Sequence, residues 1–190
     1  MADLCPDDEY AKVMQAVADE PGNDTTRLND LLARWPRDPR LHFMLASLQV
    51  ANKDHIAAHS SFSRAIELAP DFLIARYQFG FFAMTSGDAD EALSIWGPLF
   101  RLSDDAYLRQ FVEGMAHLIR DEFAQAIERF ERGILLNTEN LPLNGDISLL
   151  VSECRKLLAK PAAEPAQDGG EEASATSFIL NQFSSGSTRH

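Results

Sequence analysis

The chain repeats itself at an interval of 34 residues. The stretch from Ala51, ANKDHIAAHSSFSRAIELAP, is followed one interval on by TSGDADEALSIWGPLFRLSD from Thr85, and then by IRDEFAQAIERFERGILLNT from Ile119. Laid over one another without gaps, the copies put Ala58, Ala92 and Ala126 in one column. Phe62, Trp96 and Phe130 form a second, and Ala46, Gly80 and Gly114 a third, upstream. A fixed interval of about 20 to 50 residues points to a stacked-repeat architecture before any other. The columns have a packing logic. Gly or Ala lets two helix backbones approach, and an aromatic ring fills the space beyond. A single hairpin cannot bury its own apolar face, so each copy needs neighbours.

The interval and columns resemble the tetratricopeptide repeat, a pair of antiparallel helices A and B. Repeats starting at Pro39, Leu73 and Tyr107 put Ala46, Gly80 and Gly114 at the family's small position in helix A. They put Ala58, Ala92 and Ala126 at its alanine in helix B, and Phe62, Trp96 and Phe130 at its aromatic. Ala65, Leu99 and Gly133 fall at a later position that is normally small, and only the first repeat keeps a closing proline, Pro70. The resemblance covers residues 39 to about 140. It implies an all-α fold, an α-solenoid of helix pairs in residues 39–72, 73–106 and 107–140, with a capping helix in 141–160.

In chain order, residues 7–19 have helical periodicity, with Tyr10, Val13, Met14 and Val17 as the apolar stripe. Asp7, Asp8 and Glu9 suit its first turn. Pro21-Gly22-Asn23 ends it, and Asp24 or Thr25 caps a second helix whose inward face is Leu28, Leu31, Leu32 and Trp35. Residues 1–38 thus form a helix pair that reads as a degenerate repeat, with Lys12 at the small position as a departure. The next helices are expected at about 40–51, 55–68 and 73–85, with a further one from about 89. Gly97-Pro98 then predicts a kink or early end near Ser94–Gly97, because an interior proline costs a helix about 3 kcal/mol. Helices at about 105–119 and 122–136 follow.

Glu113 stands where the repeat is normally apolar. Either the helix is rotated or locally exposed, or Glu113 is partly buried beside an arginine such as Arg76 or Arg109, or this segment faces something outside the repeat. Rotation or exposure is preferred, since an unpaired buried charge is costly. Residues 137–145 read as an Asn-rich loop containing Pro142 and Gly145. Asp146 then caps a helix to about Lys160 whose inward face is Ile147, Leu150, Val151, Cys154 and Leu158. From Pro161 the composition turns to Pro, Gly, Ala and acids, which predicts a disordered acidic tail. Within it, residues 177–183 hold an apolar island of Phe178, Ile179, Leu180 and Phe183.

The formal net charge of −12 argues against nucleic acid or anionic lipid as the main partner, because both need a basic footprint. No run of residues is long and apolar enough for membrane insertion, and the acidic start MADLCPDDEY does not read as a signal peptide. Cys5 and Cys154 are far apart and in no metal or redox spacing, which fits free thiols in a reducing cytoplasm. His55 and His59 are spaced i, i+4, but two imidazoles without a third ligand make a poor metal site. No nucleophile triad, phosphate loop or paired-carboxylate signature stands out, so neither an enzyme nor a cofactor is expected.

In tetratricopeptide arrays helix A lines a concave groove. Carried over residue by residue, the resemblance assigns the groove to Phe43, Ser47, Val50, Ile74, Tyr77, Phe81, Met84, Leu108, Phe111 and Met115, with Arg40 at its edge. That lining is apolar and aromatic. The chaperone-clamping subclass needs Lys, Asn and Arg where this chain has Phe43, Ser47, Gln78, Leu108 and Phe111, so it is not expected. An apolar stripe on a helix is more often core than site. Phe43, Tyr77, Phe81 and Met84 are nonetheless expected in the groove, since Leu45, Phe79 and the small residues supply the packing face. The expected function is a protein-binding adaptor or chaperone-like module for an apolar peptide segment. The alternative is a structural subunit, or a homodimer, that uses the same surface as a permanent interface. The tail island is expected either to plug the groove or to dock on another partner, including a second copy.

Overall fold

The interval of the sequence returns as helix boundaries. The computed structural model describes residues 4–19 and 25–159, and every regular element among them is helical. The helices are α1 (Asp7–Asp19), α2 (Thr25–Arg34), α3 (Pro39–Ala51), α4 (His55–Leu68), α5 (Leu73–Thr85), α6 (Ala89–Trp96), α7 (Tyr107–Ile119), α8 (Phe123–Leu136) and α9 (Leu141–Ala159). None of them is long and apolar enough to cross a membrane. Starts at 39, 73, 107 and 141, and at 55, 89 and 123, each advance by 34 residues. The expected turn at Pro21–Asn23, the cap at Asp24 and the tail island at 177–183 lie outside the described residues.

A common turn explains this regularity. Lys53, Gly87 and Asp121, again 34 apart, have φ of 60°, 93° and 57°. Just after each, the N–H of Asp54, Asp88 or Glu122 donates to Gln49 O, Ala83 O or His117 O at 2.8, 3.0 and 3.0 Å. The N–H of Lys53, Gly87 and Asp121 donates to Val50 O, Met84 O and Leu118 O at 2.9, 3.1 and 3.0 Å. This pair of bonds is the Schellman motif, which satisfies the last carbonyls of a helix and reverses the chain. Asp54 and Asp88 then cap the next helix, accepting from Ala57 N and Glu91 N at 3.2 and 2.9 Å. Glu122 makes no such cap. Its carboxylate instead accepts from His117 Nδ1 at 2.6 Å and Arg120 Nε at 3.1 Å. Those two contacts, His117 first, hold it below the usual glutamate range.

The described chain divides into two compact units at the Phe79–Gly80 bond, inside α5. In the first, α2 packs on α3 and α3 on α4. Cys5, Val13, Leu28, Leu31, Leu41, Met44 and Leu48 form one buried cluster, with Tyr10, Val17, Leu32 and Trp35 packed against it. Met14, expected in the stripe of α1, is instead exposed. Lys12 is also exposed, in a 3.4 Å ion pair with Asp8. A second cluster is aromatic. The Phe43 ring lies 6.1 Å from Phe62 and 5.3 Å from Phe72, and Phe62 stacks on Phe79 at 5.5 Å.

In the second unit α6 packs on α7, α7 on α8 and α8 on α9. Here the small-residue columns show their purpose. A Cβ on Gly114 would sit 2.5 Å from Phe130 Cδ1, and one on Gly80 would collide with the Trp96 indole. Gly133 is likewise pressed against Phe111. The expected break is present. Pro98 has no N–H for the Ser94 carbonyl, so α6 stops at Trp96 and a 3-10 turn at Leu99–Arg101 follows.

Other expectations are corrected too. Leu158, expected on the inward face of the last helix, is 54% exposed. α9 begins at Leu141, not at Asp146, because an asparagine network replaces the expected loop. Buried Asn137 donates through Nδ2 to Asn140 O at 2.7 Å and Asn144 Oδ1 at 2.8 Å, and accepts from Asn140 N at 2.9 Å. Pro142 sits in the first turn of α9, where its missing N–H would have had no helical partner. Glu113 is neither rotated away nor exposed. Its side chain is 19% exposed, 2.8 Å from Arg109 Nε and 3.0 Å from Arg129 Nη1. Two guanidiniums thus offset the cost of burying it.

Candidate functional site

The assigned groove residues separate by burial. Tyr77, Met84, Leu108, Phe111 and Met115 are buried. Phe43, Ile74 and Phe81 are half-buried, and Ser47 and Val50 are exposed. Phe111 shows why some are lost to the core: its ring fills the space over Gly133 on α8 and meets Tyr107 at 5.7 Å.

Four of the reachable residues belong to the first unit. On α3, Phe43, Ser47 and Val50 recur at i, i+4 and i+7 and so share one face, while Leu41, Met44, Ala46 and Leu48 are buried. Val50 is 38% exposed. Ser47 Oγ donates to Phe43 O at 3.1 Å, which satisfies its hydroxyl locally and leaves that face undemanding toward an apolar ligand. The Phe43 ring is held against Phe62 and Phe72, so its half-exposed edge is fixed in place. Ile74 follows Phe72 by two residues, at the start of α5.

Arg40, at the edge of the assigned groove, is already committed. It donates through Nη2 to Asp38 Oδ2 at 2.8 Å and Cys5 O at 2.6 Å, and through Nη1 to Asp7 Oδ1 at 2.7 Å. Its guanidinium also lies 4.7 Å from the Tyr10 ring centroid. Asp38 is fully buried, caps α3 through Arg40 N at 2.9 Å, and accepts from Cys5 N at 2.9 Å. Burial alone would raise the Asp38 carboxyl, but the Arg40 and Cys5 hydrogen bonds outweigh it and hold the group below its usual value. This latch ties the segment before α1 to the start of α3. No signal in one sequence singles out Asp38 beyond its place before Pro39.

A shallow, open depression of about 540 Å³ lies along α3 and α4, lined by His42, Leu45, His59, Ser61, Arg64 and Glu67. Its polar groups have local roles. His42 Nε2 donates to Pro36 O at 2.9 Å, Arg64 pairs with Glu67 at 3.2 Å, and His59 packs edge-on to Phe79 at 5.0 Å. His55, the other half of the i, i+4 pair, is exposed. Among the described residues no three His, Cys, Asp or Glu side chains come together as a metal site. Both cysteines are free and buried, and burial pushes the Cys154 thiol up to about 11. No family model and no curated protein matches the chain.

Proposed function

We propose that this chain is a tetratricopeptide-like, non-enzymatic protein-binding module. Its helix pairs stack as a solenoid, and the face of α3 carrying Phe43, Ser47 and Val50, with nearby Ile74, receives an apolar segment of another protein. The single observation that carries the reading is this face. Here an uncharged, largely apolar strip stays reachable in a chain of net charge −12, while the opposite side of α3 is core. An apolar strip within reach of solvent commonly marks an interaction surface. The driving force would be burial, at about 25 cal/mol per Å² of apolar area. Phe81 belongs to the same assigned helix-A series and, with Phe43, is one of its two half-buried aromatics. Two buried free thiols fit a reducing, cytoplasmic setting.

The test is a quantitative pull-down comparing wild type with Ser47→Glu/Val50→Glu. Both side chains are exposed, so the fold should be kept, as circular dichroism would verify. Partners captured by wild type should be lost from the variant. An unchanged set of partners removes this face from consideration. A second reading, a permanent subunit contact, is favoured by Ile56, which is 88% exposed on α4 and lies outside that face. Light scattering at micromolar concentration separates the two for self-assembly. A monomer whose pull-down partners are lost with Ile56→Glu, not with the α3 variant, would favour the second reading.

A further inference from the structure

α9 is the fourth helix in the series that starts at residues 39, 73 and 107, but the pattern that should follow it stops. The aromatic column of Phe62, Trp96 and Phe130 next falls on Glu164, between Pro161 and Pro165. In α5 and α7 the small residue of the series, Gly80 or Gly114, lies beneath a ring of the following helix. In α9 the same place is Ser148, and it is exposed. Leu141, Gly145, Leu149 and Ser152 are exposed with it, at spacings that put all five on one face opposite Ile147, Leu150, Val151 and Cys154. Leu141 and Leu149 are 64% and 57% exposed, and a Cβ on Gly145 would meet nothing within 4 Å.

We propose that this bare face of α9 is covered by the chain's own segment Ser177–Phe183, SFILNQF. Three observations select this occupant. After Phe130 the next Phe, Tyr or Trp residues in the sequence are Phe178 and Phe183, which can supply the kind of ring that Phe62, Trp96 and Phe130 supply in the three preceding periods. Lys160–Thr176, the 17 residues between α9 and the segment, can extend to about 57 Å. That is twice the about 27 Å along the helix axis from Ala159 back to Leu141. Charge also agrees. Pro161–Thr176 carries Glu164, Asp168, Glu171 and Glu172 and no Lys or Arg, and it follows the end of α9 that bears exposed Arg155 and Lys156, whose ion pairs with Glu131 and Glu153 it would share. The segment caps the exposed end of the helix series and keeps Leu141 and Leu149 from other chains.

The test is chymotrypsin cleavage after Phe178, followed by mass spectrometry on the full chain and on a synthetic peptide of residues 174–187. Cleavage of a docked segment tracks the fraction undocked, so about tenfold slower cleavage than in the peptide is expected if about nine-tenths is docked. Leu141→Glu/Leu149→Glu should restore the peptide's rate with an unchanged circular dichroism spectrum, because both side chains are exposed. Wild-type cleavage at the peptide's rate overturns the proposal. So does protection that survives in the double variant, which would place the segment elsewhere, the α3 face included. Protection that is lost on dilution would mean that a second copy supplies the segment, and that also overturns the single-chain arrangement.

Discussion

Replacing Gly114 with alanine tests the register of α7 on α8 in one step. A Cβ there would lie 2.5 Å from both Cδ1 and Cε1 of Phe130 and 3.1 Å from its Cγ. Carbon atoms in good contact sit about 3.5–4.0 Å apart, so the ring or the helix must retreat by about 1 Å. Neither position has open space to move into, since Phe130 is completely buried and Gly114 is buried beneath it. Overpacking of this kind costs about 1–3 kcal/mol. Against it stands the better helix propensity of alanine, about 1 kcal/mol. The net expectation is a loss of about 1–2 kcal/mol, because two ring atoms collide at once. Phe130→Leu removes the ring edge that the new methyl would strike. The double variant should therefore be more stable than the sum of the two single changes predicts, by about 1 kcal/mol. Urea unfolding followed by circular dichroism reads both quantities. If Gly114→Ala stabilises the protein by about 1 kcal/mol, as at an open helix position, the packing argument fails. It fails equally if the two substitutions are additive.

Two further expectations follow from the buried polar groups. Asp38 has a folded-state value below that of an unfolded aspartate, which is about 3.9, so its stabilisation is present above the unfolded value and is lost as the pH falls through the lower folded one. Asp38→Asn should therefore destabilise the chain by about 2–4 kcal/mol at neutral pH, and the gap to wild type should narrow in acid titrations of stability; a gap independent of pH would refute the latch. Cys154 should alkylate with iodoacetamide at pH 8 more than about a hundredfold slower in the native chain than in urea, since the thiolate is the reacting form and its value is pushed up to about 11; equal rates would contradict its burial.

Much of the architecture was legible because the interval fixes where each element starts. Helix starts at 55, 73 and 89 match the expected ones, and Gly97-Pro98 announces the end of α6 by ordinary proline chemistry. The left-handed residues were harder to see. Only Gly87 signals such a turn by its type, while Lys53 and Asp121 occupy the same conformation because the flanking hairpin imposes it. The start of α9 is hidden for a related reason. Asn, Pro and Gly suggest a loop, yet Asn137, Asn140 and Asn144 bond to one another and to the backbone, which makes the tight entry a helix can use. The burial of Tyr77, Met84 and Leu108 cannot be read from helical spacing, because an apolar stripe looks the same whether a neighbour covers it or not. Glu113 needed Arg129, which comes from another helix sixteen positions away and has no local signature.

The claim beneath all of this is that one turn geometry recurs at Lys53, Gly87 and Asp121. The most direct measurement is the unfolding free energy of Lys53→Gly, Gly87→Ala and Asp121→Gly in parallel urea titrations. A side chain held in the left-handed region costs about 1–2 kcal/mol, partly offset by the greater unfolded-state freedom of glycine. A Cβ at Gly87 would meet nothing within 4 Å, so its effect is conformational alone. Gly87→Ala is expected to destabilise by about 1 kcal/mol while the two changes to glycine are stabilising, Asp121→Gly the less so. A neutral or stabilising Gly87→Ala, or a destabilising Lys53→Gly, would contradict it.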